Sequence, residues 1–130
     1  EALQALANGY SLVESLNDFD SLITNATTGV YIITSDFTLD ANKTIPAGVT
    51  LEFRNAKIDL SGYELDVNGG IIKSGLSQIF TTNGVVVNFN CTEVYPQWFG
   101  NVANGLDDSV AIQTATNTNK DIFLPKGYYK

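Results

Sequence analysis

Gly29-Val30-Tyr31-Ile32-Ile33, Gly48-Val49-Thr50-Leu51, Gly70-Ile71-Ile72-Lys73 and Gly84-Val85-Val86-Val87 repeat one pattern, a glycine followed by a β-rich run. The glycines are 19, 22 and 14 residues apart, so two intervals are similar and the third is short. β-branched and aromatic side chains pack well on a pleated surface and lose freedom in a helix, so these runs favour strands. The expected strands cover 30–34, 37–39, 49–53, 57–60, 64–67, 70–73 and 85–89. Between them stand Asp40-Ala41-Asn42-Lys43, Asn55-Ala56, Ser61-Gly62 and Asn68-Gly69. These residues tolerate left-handed backbone angles, as a chain needs when it turns a corner every few residues. A repeat of roughly 20 residues predicts a coil whose strands stack in parallel. An ordinary antiparallel sandwich is the alternative. Ser61-Gly62, between Ile58-Asp59-Leu60 and Tyr63-Glu64-Leu65, also suits a two-residue hairpin turn.

Upstream of this region, Ala2, Leu3, Leu6 and Ala7 have helical spacing, but Gly9 interrupts them. A firmer helix is expected over 17–25, where Asn17 or Asp18 caps the N-terminus and Phe19, Leu22 and Ile23 share one face. Downstream, 91–106 is irregular and holds the aromatic cluster Tyr95-Pro96-Gln97-Trp98-Phe99-Gly100. Asp107 or Asp108 then caps a predicted helix burying Ala111, Ile112 and Ala115, and a strand follows from Asp121. The chain therefore divides into a helical lead-in (1–28), a β-rich head (29–90), an aromatic linker (91–106) and a capping helix with the first strand of a main coil (107–130). Starting without Met and ending at Tyr128-Tyr129-Lys130, within an expected strand, it reads as a piece of a longer protein.

Composition narrows the partners. Seven basic against fourteen acidic residues give a net charge of −7, which repels phosphate backbones and anionic lipid, so nucleic acid is not an expected partner. Hydrophobic residues make up 44%, enough for a real core. With no His, no Met and the single Cys91, the soft metal ligands are missing, so zinc and copper are excluded, oxygen-ligated ions alone stay open, and neither a metal site nor a cofactor is assigned. Cys91 cannot form an intrachain disulfide; it reads as a small buried hydrophobe, with a reactive thiol as the alternative. No apolar run reaches the roughly 20 residues needed to cross a bilayer, so no membrane span is expected.

Three segments in order resemble the pectate-lyase-like right-handed parallel β-helix family, which includes bacteriophage tailspikes and capsule depolymerases. They are Glu93-Val94-Tyr95-Pro96-Gln97-Trp98-Phe99-Gly100, Asp107-Asp108-Ser109-Val110-Ala111-Ile112-Gln113 and Ile122-Phe123-Leu124-Pro125-Lys126-Gly127-Tyr128-Tyr129. Ile45-Pro46-Ala47-Gly48-Val49-Thr50-Leu51-Glu52-Phe53 and Tyr63-Glu64-Leu65-Asp66-Val67-Asn68-Gly69 are similar to the first turns that precede them. One departure follows Gly100, where Asn101-Val102-Ala103-Asn104-Gly105-Leu106 replaces the family's usual Gly-Asp-Gly-like turn. The resemblance implies a mainly β fold that begins a right-handed parallel β-helix, with short capping helices. It implies a homotrimer attached to a virion tail, or otherwise extracellular, in which this portion is structural. The remainder of the protein would bind, and in many members cleave, bacterial surface polysaccharide, with the cleaving residues beyond Lys130. A secreted polysaccharide lyase or glycoside hydrolase, or a carbohydrate-binding module, are the alternatives.

Site residues follow with competing roles. Trp98, Phe99, Asp107, Asp108 and Ile112 are expected to form a structural cap, because a coil cannot leave its apolar end bare. Tyr95 and Trp98 are candidate sugar contacts, since an aromatic face packs on the apolar side of a pyranose ring. No catalytic residue is expected in this chain: Asp107 and Asp108 are neighbours whose side chains diverge, and helix capping accounts for them. Glycoside hydrolysis needs two carboxyls on either side of one bond. Asp59, Glu64 and Asp66, with Asp40 nearby, are an acidic group for catalysis or calcium, set against a solvated outer face, because Glu64 and Asp66 alternate with Tyr63, Leu65 and Val67.

Overall fold

The structure, a computed structural model, describes residues 10–75, 77–81, 84–90, 93–99 and 121–122, with backbone alone at 93, 94, 96, 121 and 122. Its elements are β1 (Tyr10–Val13), α1 (Leu16–Thr24), β2 (Val30–Ile33), β3 (Phe37–Thr38), β4 (Lys43–Thr44), β5 (Thr50–Phe53) and β6 (Ile58–Asp59). There follow β7 (Glu64–Asp66), β8 (Ile71–Lys73), β9 (Phe80–Thr81), β10 (Val85–Val87), β11 (Glu93–Val94), a 3-10 turn at Pro96–Trp98, and β12 (Asp121–Ile122). The chain is thus mainly β with one short α-helix among the described residues.

Every strand pair among the described residues is parallel. The first sheet has the order β1-β2-β5-β8, the second β3-β6-β9, the third β10-β7-β4, and β11 pairs with β12. From β2 to β10 the chain visits the first, second and third sheets in that order, three times over. Each strand pairs with the matching strand of the next pass, as in Val30↔Thr50, Phe37↔Ile58 and Lys43↔Leu65. The sandwich alternative therefore fails. β6 and β7 do not pair with each other, and Ser61-Gly62, with φ of 52° and 83°, is a corner between two sheets.

The short third interval between the glycines has the same explanation. Gly29, Gly48 and Gly70 introduce strands of the first sheet, whereas Gly84 introduces β10, in the third. Close packing enforces glycine at Gly84: a Cβ there would meet the Leu60 Cβ at 2.6 Å and the Tyr63 carbonyl oxygen at 2.7 Å.

Parallel register puts like positions over one another, and the buried residues form columns. Tyr31, Leu51 and Ile72 align in the first sheet, Phe37, Ile58 and Phe80 in the second, and Leu65 and Val86 in the third, all buried. Fully burying one such side chain contributes roughly 1.5–3 kcal/mol, whereas an exposed ion pair contributes about 0–1 kcal/mol, so the columns carry the fold.

The expected helix over 17–25 is present one residue earlier, and its cap is neither Asn17 nor Asp18. Ser15 is the cap: its extended backbone precedes the helix, and its Oγ accepts the Asp18 amide at 3.1 Å. Asp18 lies inside the first turn, where its carboxylate accepts the Glu14 amide at 2.9 Å and complements the helix dipole. Between β1 and β2, α1 takes the place that strands of the second and third sheets occupy in later passes. Its Phe19, 0% exposed, packs on Tyr31 and Phe37, with ring centroids 6.3 and 5.2 Å apart. β1 was not expected. Of its two inward positions, Val13 is aligned with Ile33, but Ser11, aligned with Tyr31, breaks the apolar pattern.

Candidate functional site

The outer surface of the second sheet carries a solvent-open cavity of about 370 Å³, lined by Asp36, Phe37, Thr38, Lys57, Asp59 and Thr81. The register builds it. Phe37, Ile58 and Phe80 point inward, so Thr38, Asp59 and Thr81, one residue on in each strand, point outward in a row across three strands. Neighbours in such a row stand about 4.8 Å apart, the strand spacing.

Backbone bonds hold the two carboxylates in place. Asp36 Oδ1 accepts the Lys57 amide at 2.9 Å, tying one pass to the next, and Asp59 Oδ1 accepts the Ser61 amide at 3.0 Å. The groove combines carboxylates, an ammonium and two hydroxyls on a rigid sheet, a set suited to hydrogen-bonding a hydroxyl-rich ligand. Among the described residues, no group of three or more His, Cys, Asp or Glu could hold a metal ion.

The acidic group considered from sequence is dispersed. Asp59 is on the second sheet, Glu64 and Asp66 on the third, and Asp40 is in the corner before β4. Asp66 Oδ1 accepts the Asn68 amide at 2.8 Å and Asn88 Nδ2 at 3.0 Å, so this carboxylate braces two stacked corners. Asp40 Oδ1 lies 2.8 Å from Lys43 Nζ, and that hydrogen bond holds its carboxyl below the usual range. Asp36, Thr38, Lys57 and Thr81 were not singled out from sequence. Laying each pass of the sequence over the next aligns Thr38, Asp59 and Thr81, and that alignment was the signal available.

Trp98 and Phe99 are packed into the core, 2% and 9% exposed. The Trp98 indole N–H donates to the Gly75 carbonyl at 2.9 Å, and its own carbonyl accepts the Ile79 amide at 2.9 Å. Phe99 stacks on Phe80 at 5.5 Å with a 22° interplanar angle, as the next step of the column Phe37, Ile58, Phe80. Tyr95 meets Trp98 edge to face at 5.2 Å and is half-buried. Buried to this extent, Trp98 offers no ring face to a sugar in this arrangement. Asp107, Asp108 and Ile112, with Cys91 and the helix expected after Gly105, lie outside the described residues.

Among the described residues no helix is long and apolar enough to cross a membrane. Comparison of the chain with protein-family models, with curated proteins and with solved structures returns no match.

Proposed function

We propose that the chain is the first part of a right-handed parallel β-helix, serving as the structural head or neck of a trimeric tailspike-type protein directed at bacterial surface polysaccharide. The observation that carries the scaffold is the threefold repeat of the same sheet order, with each strand parallel to its counterpart in the next pass. A chain that closes a triangle and advances one strand spacing per pass would produce that order. α1 then covers the starting end through Phe19, Phe99 extends the core by stacking on Phe80, and β11 pairs in parallel with β12, Glu93 in register with Asp121. The tailspike assignment rests on the Trp98-Phe99-Gly100, Asp107-Asp108 and Leu124-Pro125-Lys126-Gly127-Tyr128-Tyr129 order. Light scattering of the parent protein at micromolar concentration tests it. A trimer is expected; a monomer would overturn the tailspike assignment and favour a secreted lyase or hydrolase.

The groove on the second sheet favours a second reading, a carbohydrate-binding module. Its Thr38-Asp59-Thr81 row presents two hydroxyls and a carboxylate at steps of about 4.8 Å across three strands. Calorimetry of this chain with bacterial surface oligosaccharides decides: saturable heat that Asp59→Ala removes supports the module, and absence of heat rejects it.

A further inference from the structure

β4 is the outermost strand of the third sheet, and among the described residues no strand pairs with its other edge. Unpaired strand edges are templates for association, and proteins guard them in recognisable ways, one of which is a charged residue pointing inward. Lys43 is such a residue. It is in register with Leu65, which is followed in the same column by Val86, and those two are 0% and 1% exposed. Two positions along the same strand direction, Ile45 and Val67 are both fully buried. The column therefore begins with a lysine where every later pass has an aliphatic residue.

The lysine is satisfied there by a specific surrounding. Nζ lies 2.9 Å from Asp20 Oδ1 on α1 and 2.8 Å from Asp40 Oδ1, with only 14% of the side chain exposed. Both carboxylates are open to water, Asp20 38% and Asp40 64% exposed, so each pair contributes only about 0–1 kcal/mol, and stability alone does not account for a lysine in an apolar column. Direction of assembly does account for it. A strand from a second copy laid along β4 would displace Asp20, whose carboxylate reaches Lys43 from α1, and its inward residue would be packed on an ammonium stripped of one of its two carboxylates. Burying a charge without its partners is strongly unfavourable.

We propose that Lys43, with Asp20 and Asp40, is an edge guard that stops β4 from accepting a strand of a second copy of this chain. Among the described residues, the cluster lets the third sheet end beside α1, from which Asp20 reaches Lys43. An apolar residue at this position would leave an edge able to extend when the helix lifts.

The test uses the full chain in two backgrounds that loosen α1, Phe19→Ala and the milder Asp20→Asn. Into each are placed Lys43→Leu, Lys43→Met and Lys43→Arg, and sedimentation velocity is followed with concentration. Leu and Met are expected to shift the distribution to species larger than the background variant forms, growing with concentration, while Arg leaves it unshifted. Equal behaviour of Leu, Met and Arg in either background that folds would overturn the proposal. So would loss of folding in Lys43→Leu alone, with α1 otherwise unaltered, because the cluster would then be a stabilising clasp.

Discussion

Gly70 sits directly against the carbonyl of Val49, one pass earlier in the chain: a Cβ on Gly70 would overlap that oxygen and lie 3.1 Å from the Val67 oxygen. The same Val49 carbonyl accepts the Ile71 amide at 3.1 Å, so the two passes are locked at backbone level. Gly48 differs in kind, with φ of +76° and open space where a Cβ would go. Gly70→Ala should destabilise by about 3 kcal/mol or more, because backbone atoms cannot rotate away from the overlap. Gly48→Ala should cost only about 1–2 kcal/mol for its left-handed backbone. Urea unfolding midpoints of the two variants check the order, and equal midpoints would contradict it.

Trp98→Ala should destabilise by roughly 3–5 kcal/mol, since it removes a large buried side chain along with the bond to the Gly75 carbonyl. Thermal unfolding gives the answer. A melting point that hardly moves, together with loss of oligosaccharide binding, would establish the sugar platform in place of the packed core.

Tyr31 is fully buried, its hydroxyl donates to the Thr27 carbonyl, and burial raises its pKa from 10.0 to about 12. The unfolded chain ionises this group near pH 10, so the stability held by the neutral phenol is intact below pH 10 and lost as pH rises toward 12. Tyr31→Phe should flatten that alkaline loss of stability while costing about 1 kcal/mol at neutral pH for the missing hydrogen bond. Denaturant unfolding of both proteins across this range measures it.

The Lys43 cluster has its own signature. A hydrogen bond from Lys43 lowers the Asp40 pKa from 3.8, and the bond to Asp40 raises that of Lys43 from 10.5. Asp40 therefore contributes above pH 3.8 and loses its contribution as pH falls through the lowered value; Lys43 contributes below pH 10.5 and loses it as pH rises through the raised one. Lys43→Met should reduce both dependences together, as read from unfolding midpoints across pH. Independence of the acid limb from this substitution would show that Asp40 is not coupled to the lysine.

Much of the scaffold was readable because glycine and β-branched runs mark local geometry. Gly29, Gly48 and Gly70 announced the first sheet correctly, and Asn55, Ser61 and Asn68 stand at the corners with positive φ. In the second and third sheets β3, β6, β7 and β10 lie within expected strands, whereas β4 and β9 were missed, since Lys43–Thr44 and Phe80–Thr81 are short and carry no β-branched apolar run. β1 escaped because Ser11 occupies a column position where an apolar residue is the norm. Trp98 and Phe99 were expected as an end cap because a coil cannot leave its apolar end bare, and the structure shows both buried in the core. The groove was not, because Thr38, Asp59 and Thr81 look like ordinary surface residues until the passes are laid in register. Ser15 was missed as the helix cap since Asn17 and Asp18, equally good capping types, stand just after it.

Nuclear Overhauser contacts between backbone protons of the isotope-labelled chain test the stacked passes most directly. Contacts between successive passes are expected in all three sheets, joining Tyr31 to Leu51, Leu51 to Ile72, Phe37 to Ile58, Ile58 to Phe80 and Leu65 to Val86. Antiparallel contacts from Leu60 to Tyr63 and from Asp59 to Glu64, with none between those pairs, would contradict the account.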